Sequence, residues 1–159
     1  FVTHDQEEAL ELADRIVVMM DGVVEQAGTP DEVYDHPASP AVYQFLGDVN
    51  LFHGRLNAGS FLHNPNLPEN GGVTAFARPH ELDVERFATS ETSVPGVLLH
   101  AYAVGPKVRL ELRRNDNSEV VEAELTRDRY RNLAIVAGDA VWVTPQNLRI
   151  FKPDEDVSI

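Results

Sequence analysis

Cysteine is absent from the 159 residues, which excludes a disulfide framework, a thiolate metal site and a cysteine nucleophile, and fits a reducing compartment. Basic residues are scarce: 13 Lys and Arg stand against 26 Asp and Glu, for a net charge of −13. The deficit is uneven. Residues 1–47 hold ten acidic residues against Arg15 alone, giving −9, and the remainder carries −4. A field of that sign repels phosphate backbones and anionic lipid headgroups, so nucleic acid and lipid surfaces are not expected as direct partners. No apolar run approaches the roughly 20 residues of a membrane helix, and no charged-then-apolar export signal opens the chain. There is also no G-x-x-x-x-G-K-[ST] loop to cradle phosphates, and no apolar strand ending in an Asp-Glu pair. The sequence opens at Phe1, with Phe-Val-Thr reading as a strand already under way, and is expected to be a piece of a longer protein.

What is present divides into two regimes. In residues 1–47, Thr3 and Gln6 have capping-box spacing and precede Ala9, Leu10, Leu12 and Ala13, which predicts a strand, a tight turn holding His4, and a short amphipathic helix. Residues 16–20 and 23–27 are β-rich runs joined by Asp21-Gly22, a pair suited to the positive φ angles of a two-residue hairpin. Thr29-Pro30-Asp31-Glu32 supplies an N-cap, a proline at the first helical position and a glutamate at the third, so a helix is predicted to run to about His36-Pro37. Ser39-Pro40 repeats the device for a second helix ending at Gly47.

Beyond Asp48 helical spacing gives way to alternation. Residues 107–113 alternate without a break, and 119–126 are their expected antiparallel partner. Runs at 73–78, 82–85, 94–104, 140–144 and 148–151 complete a set of short strands that predicts a small closed barrel or sandwich. Residues 64–72 read as a loop and 154–159 as a frayed tail.

The run Phe1-Val2-Thr3-His4-Asp5-Gln6-Glu7-Glu8-Ala9 resembles the switch-histidine region of ABC-transporter ATPases. Ala13-Asp14-Arg15-Ile16-Val17-Val18-Met19, Asp21-Gly22, Gly28-Thr29-Pro30 and Val42-Tyr43-Gln44-Phe45-Leu46-Gly47 continue the likeness in order and spacing. The segments from Gly47 to Gly54 and from Phe76 to Val84, with Arg78-Pro79 inside the second, are similar to the subgroup that energises sulfate and thiosulfate import. The resemblance implies a mainly β chain with a small α/β N-terminal piece: residues 1–47 end an ABC nucleotide-binding domain, and residues 48–159 form an OB-like regulatory barrel of the transport-associated (TOBE) type. It further implies an ATP-hydrolysing energy-coupling subunit on the cytoplasmic face of the bacterial inner membrane, working as a homodimer beneath membrane-spanning permease subunits, with ATP and Mg²⁺ as cofactors of the full-length protein. His4 is then the catalytic and cofactor-binding residue. A neutral imidazole can donate one hydrogen bond to a γ-phosphate oxygen and accept another at its second nitrogen, helping to position the attacking water.

Two other readings stay open: a stand-alone module sensing an oxyanion, and the ATPase subunit of a carbohydrate or other small-solute importer. The arginines at 109, 113, 114, 127, 129 and 131 are the only cationic concentration, taken as strand-face charges able to receive an oxyanion, a neighbouring acidic surface or water. Tyr102, Trp142 and Phe151 are expected in the barrel core or a dimer contact. The histidines at 36, 53, 63, 80 and 100 lack metal-ligand spacing, and no metal site is expected. Lacking a phosphate cradle, the 159-residue chain by itself is expected to bind no ATP; micromolar binding in a calorimetric titration would overturn that.

Overall fold

The computed structural model describes residues 1–58, 60–64 and 72–151. The chain divides into two compact units, Phe1–Asp48 and Val49–Ile159.

The first unit begins without a strand. Residues 1–3 have no regular structure, correcting the expected strand before His4: extended backbone persists as a strand only where a neighbour completes its ladder, and the hairpin strands that follow pair with each other. Helix α1, Gln6–Leu12, is capped by Asp5, not Thr3: the Asp5 carboxylate accepts from the Glu8 N–H at 3.0 Å, while Thr3 Oγ1 accepts from the Asp5 N–H at 3.0 Å. Strands β1, Ile16–Met20, and β2, Val23–Gly28, form the expected hairpin, its turn set by φ of 50° at Asp21 and 81° at Gly22. Helix α2, Pro30–Asp35, has the anticipated capping box, Thr29 N–H to Glu32 Oε2 at 2.8 Å and Glu32 N–H to Thr29 Oγ1 at 3.3 Å. Helix α3, Pro40–Phe45, is capped by Ser39 and ends on Leu46, one residue before the glycine expected to stop it. Ile16, Val18, Val33, Val42 and Leu46 make the small core. Gln26 pins the α2–α3 connection to the hairpin, donating to the His36 carbonyl and accepting from the Ala38 N–H at 2.9 and 2.8 Å.

The second unit contains β3, Asn50–Asn57; β4, Ser60–His63; β5, Val73–Ala77; a 3-10 turn, Pro79–Glu81; β6, Leu82–Glu85; β7, Val94–Val104; β8, Lys107–Arg114; β9, Val120–Thr126; helix α4, Arg127–Leu133; β10, Ala140–Pro145; and β11, Arg149–Ile150. They make two antiparallel sheets, ordered β6-β10-β7-β8-β9 and β11-β5-β3-β4, around one core. The alternation of β8 has its expected consequence. Val108, Leu110 and Leu112 are buried and lie opposite Leu125, Ala123 and Val121 of β9, each large apolar side chain contributing about 1.5–3 kcal/mol by leaving water.

Three elements escaped the sequence. The strands β3 and β4 are masked as a pattern because the inward positions of β3 include Asn50 and Gly54 beside Phe52, while Leu51 and Leu56 face outward. Helix α4 carries Arg127, Arg129 and Arg131, which are therefore not strand-face charges; Thr126 caps it by accepting from the Arg129 N–H at 3.2 Å. Residues 65–71 of the loop expected at 64–72, and the frayed tail expected at 154–159, lie outside the described residues.

Asn50 joins the two sheets. Its side-chain amide donates to the Glu122 carbonyl and its carbonyl accepts from the Glu122 N–H, both at 2.8 Å, so a side chain from β3 substitutes for a strand on the edge of β9. Asn50 is 6% exposed, and Asn50→Ala would strand two backbone groups away from water. We expect that substitution to lower the unfolding free energy by about 2–4 kcal/mol in urea titration; a change under about 0.5 kcal/mol would show that water replaces the amide at no cost.

Candidate functional site

His4 is exposed in the turn immediately before the Asp5 cap. It lines an open cleft of about 720 Å³ in the first unit, together with Phe1, Arg15, Val17, Met19 and Phe45. Arg15 is the only Lys or Arg of residues 1–47, so the cleft collects that unit's single permanent cation and an imidazole against an otherwise acidic background. The imidazole stands open to solvent at a capped helix entrance, whereas a core histidine would be enclosed. The walls are unusually apolar for a surface: Val17 is 55% exposed and Met19 58%.

The arginines do not converge. Arg109 is 3.7 Å from Glu122 and 3.9 Å from Glu124. Arg127 donates to the Gly105 carbonyl at 2.7 Å, and Arg131 lies 3.5 Å from Asp128. Arg129 meets Asp83 at 3.2 Å and also Glu85. Pairing with carboxylates of the same unit, which was none of the three readings left open for these cations, accounts for Arg109, Arg114, Arg129 and Arg131. The core half of the aromatic expectation is corrected: Tyr102 is 40% exposed, and Trp142 and Phe151 are only half-buried. The Tyr102 hydroxyl donates to Glu111, and that bond, ahead of burial, pushes its pKa up to about 12. Among the described residues, no group of three or more His, Asp or Glu is placed to hold a metal ion.

Arg114 is the exception to surface pairing. It is 1% exposed at the end of β8, with its guanidinium 5.1 Å from the centroid of the Phe52 ring. Asp116 receives it through two bonds, Nε to Oδ1 at 3.0 Å and Nη2 to Oδ2 at 2.6 Å, and Nη1 donates to the Leu51 carbonyl at 3.2 Å. His63 of β4 closes the group, its Nε2 beside both Asp116 and Arg114 Nη2. The bidentate fork, the ring under it and the main-chain acceptor replace the water that a buried guanidinium gives up. No spacing motif announces this cluster; the one available signal was Arg114 at an inward position of an alternating strand.

This barrel half of the chain matches a known sequence family, described as a TOBE-like domain, over residues 88–146. Residues 88–146 are a TOBE-like domain. The match covers β7 to β10 and helix α4, with Arg114 inside it. Across both units, the chain is 49% identical to the sulfate/thiosulfate import ATP-binding protein CysA of Bacillus cereus, over 99% of this chain and 46% of that protein. It is 47% identical to the protein of the same name from Nitrosomonas europaea, over 95% of this chain and 44% of the relative. The chain therefore spans about half the length of the relatives it matches. In three dimensions, the cytoplasmic molybdate-binding protein ModG, crystallised with molybdate bound, superposes with a TM-score of 0.52 at 12% identity, covering 65% of this chain and 96% of that one. At that identity the likeness concerns fold alone, and it agrees with the mainly β, OB-fold-like architecture expected from the strand pattern.

The Arg114 cluster gives the second unit a pH signature. Burial pushes the His63 imidazole down, outweighing the Asp116 bond that favours its charged form. Burial alone would raise Asp116, but the bonds from Arg114 and His63 hold it below its usual range. The depressed His63 contributes stability that is complete above the unfolded value near 6.5 and is lost as pH falls through the folded one; Asp116 does the same from an unfolded value near 3.9. Urea midpoints are thus expected to decline in two windows, one starting below about pH 6.5 and one below about pH 4, with His63→Gln abolishing the upper window and narrowing the lower one. Arg114→Met, which leaves the half-buried Asp116 without its cation, is expected to cost about 3 kcal/mol at pH 7. A single decline, or an Arg114→Met protein as stable as its parent, would refute the assignment.

Proposed function

We propose that this chain is part of the ATP-binding, ATP-hydrolysing subunit of a sulfate/thiosulfate ABC importer, with residues 1–47 closing its nucleotide-binding domain and residues 48–159 forming its regulatory domain. The observation that carries the reading is identity of 49% to a sulfate/thiosulfate import ATP-binding protein along 99% of the chain. The first unit supports it independently. On the β1–β2 hairpin, Ile16 and Val18 face the small core while Val17, Met19, Val23 and Val24 are more than half exposed, so both faces are apolar. A hairpin apolar on both faces belongs in the interior of a larger α/β domain.

In this reading His4 is the γ-phosphate contact. ATP with Mg²⁺ supplies the phosphoryl group and its charge neutralisation, held by polypeptide outside these 159 residues. His4 donates one hydrogen bond to a terminal phosphate oxygen and accepts another at its second ring nitrogen, so its part is positioning. The subunit pairs with a second copy and with membrane-embedded permeases at the cytoplasmic face of the membrane; among the described residues no helix is long and apolar enough to cross it.

A second reading has the barrel bind an oxyanion. The fold it shares with a molybdate-binding protein favours this, although the carboxylate partners of Arg109, Arg114, Arg129 and Arg131 leave those cations engaged. Calorimetry with sulfate and with molybdate separates it from the import reading, which requires neither to bind here.

The decisive variant is His4→Ala in the full-length subunit assembled with its permeases. ATP hydrolysis is expected to fall by about 10²–10³-fold while ATP affinity changes by less than about threefold. Hydrolysis undiminished in the variant would remove His4 from the mechanism, and loss of nucleotide binding would make its role structural.

A further inference from the structure

Strand β4 is held from one side. It ends its sheet, with β3 as its neighbour through the residue pairs from Gly54–His63 to Asn57–Ser60, and the Asn64 N–H adds a bond to the His53 carbonyl at 2.9 Å. Two side chains fasten its inner face. The Phe61 ring, 9% exposed, lies over Gly54 in the space a Cβ would fill. His63 reaches the other sheet, with Nε2 beside Asp116 and 2.7 Å from Arg114 Nη2. Its ring meets Phe52 edge-on, 6.1 Å between centroids, and Nδ1 is buried with no hydrogen-bond partner among the described residues. These surroundings suit a neutral imidazole. A proton added at Nδ1 creates a buried N–H without an acceptor and a charge beside the Arg114 guanidinium. Charged groups face the cluster from each element packed on it: Arg114 from the end of β8, Asp116 from the turn after it, Glu119 ahead of β9, at 3.6 Å from Arg114 Nη1, and His53 from β3. Arg55 of β3 is exposed, and β5 carries no titratable side chain. With His63 charged, two cations share the Asp116 carboxylate.

We propose that acid frees β4: uptake of a proton from water at His63 Nδ1 detaches β4 and its Phe61 ring from β3 and from Arg114, while the five-stranded sheet stays folded. Once the strand is released, the imidazolium is hydrated and no longer faces Arg114, so the open strand binds the proton more readily than the closed one. Burial, which holds the closed imidazole in its neutral form, is the same preference seen from the other side. The strand is therefore closed above about pH 6.5, where the imidazole is neutral in either state, and opens progressively as pH falls. The unit gives way at β4 because the hold there is small. Strand β8 has β7 on one side and β9 on the other, and its Leu110 and Leu112 are 0% exposed, whereas β4 has one neighbour and one buried phenylalanine. Opening uncovers the inner side of β3, where the Phe52 ring lies under the Arg114 guanidinium. It is distinct from acid unfolding of the whole unit, in which every strand would be exposed together. The device belongs to the second unit alone and does not rest on the import reading.

Amide exchange of the 159-residue chain, followed by NMR and corrected for the intrinsic effect of pH on exchange, tests it. The reporters are Asn64, bonded to His53, and Leu62, which takes the next bonded position along the same ladder. Both are expected to exchange about tenfold faster on going from about pH 7.5 to about pH 5. At the lower pH they are expected to exchange about 100-fold faster than Leu110 and Leu112 of β8, and to ignore about 1 M urea, since a local opening exposes little surface. His63→Gln, which keeps a polar side chain but cannot titrate, is expected to remove the acid acceleration. In the unmodified chain the His63 ring signals should titrate with the same midpoint as exchange at Leu62 and Asn64, and this readout decides the matter should the variant fail to fold. Three results overturn the proposal: exchange in β4 that matches β8 in rate and in urea response, acid acceleration that persists in His63→Gln, or a ring that titrates while β4 exchange stays constant.

Discussion

The second unit depends on a buried positive charge. Arg114 leaves water at the end of β8, and what makes that tolerable is contributed from separate parts of the fold: Asp116 from the turn after β8, the Leu51 carbonyl and Phe52 ring from β3, and His63 from β4. Since each of these groups is needed to replace lost hydration, the two sheets are held in one relative arrangement by a requirement of electrostatics and not by apolar packing alone. Asn50, one residue before Leu51, adds a neutral fastening on the same strand. The start of β3 is thus the seam of the unit. Apolar contacts are interchangeable among residues of similar size, whereas a guanidinium fork and a carboxamide fix which backbone atoms must meet.

Where sequence reasoning succeeded, it used signals with a period or a fixed geometry. The Asp21-Gly22 turn, the Thr29 capping box and the unbroken alternation of β8 each impose local structure with little help from tertiary context. It failed where tertiary demands had replaced the periodic residue. The inward positions of β3 hold an asparagine and a glycine because one must reach Glu122 and the other must yield space, so the strand does not look like a strand. Helix α4 was hidden by its arginines, which read as a charged strand face until Thr126 is recognised as a cap. The cap at Asp5 was misplaced by two residues because Thr3 and Asp5 both offer oxygen acceptors to the same short helix.

The candidate site was legible in part. His4 stood out by the company of its neighbours in the chain, and the fold puts it in the open, on a cleft that it shares with Arg15. The Arg114 cluster left only the signal of an inward arginine on β8: Asp116 stands two residues further on, but His63 is brought in from the other sheet, 51 residues away in the sequence. Conversely, the arginines that composition suggested as one surface turn out to serve several separate carboxylates. Counting charges along a chain locates neither their partners nor their burial, because both are properties of the register.

Gly54 carries a consequence for how this hairpin could ever change. A methyl group placed there would lie 2.3 Å from the Leu62 carbonyl oxygen and 2.5 Å from the Phe61 ring. Shrinking Phe61 would clear the ring but not the carbonyl, which belongs to the main chain of β4. No compensating replacement elsewhere can therefore rescue a larger residue at this position without moving β4 itself. The site has no neighbouring route through sequence space: drift can alter the residues around it, yet the absence of a side chain must be inherited unaltered.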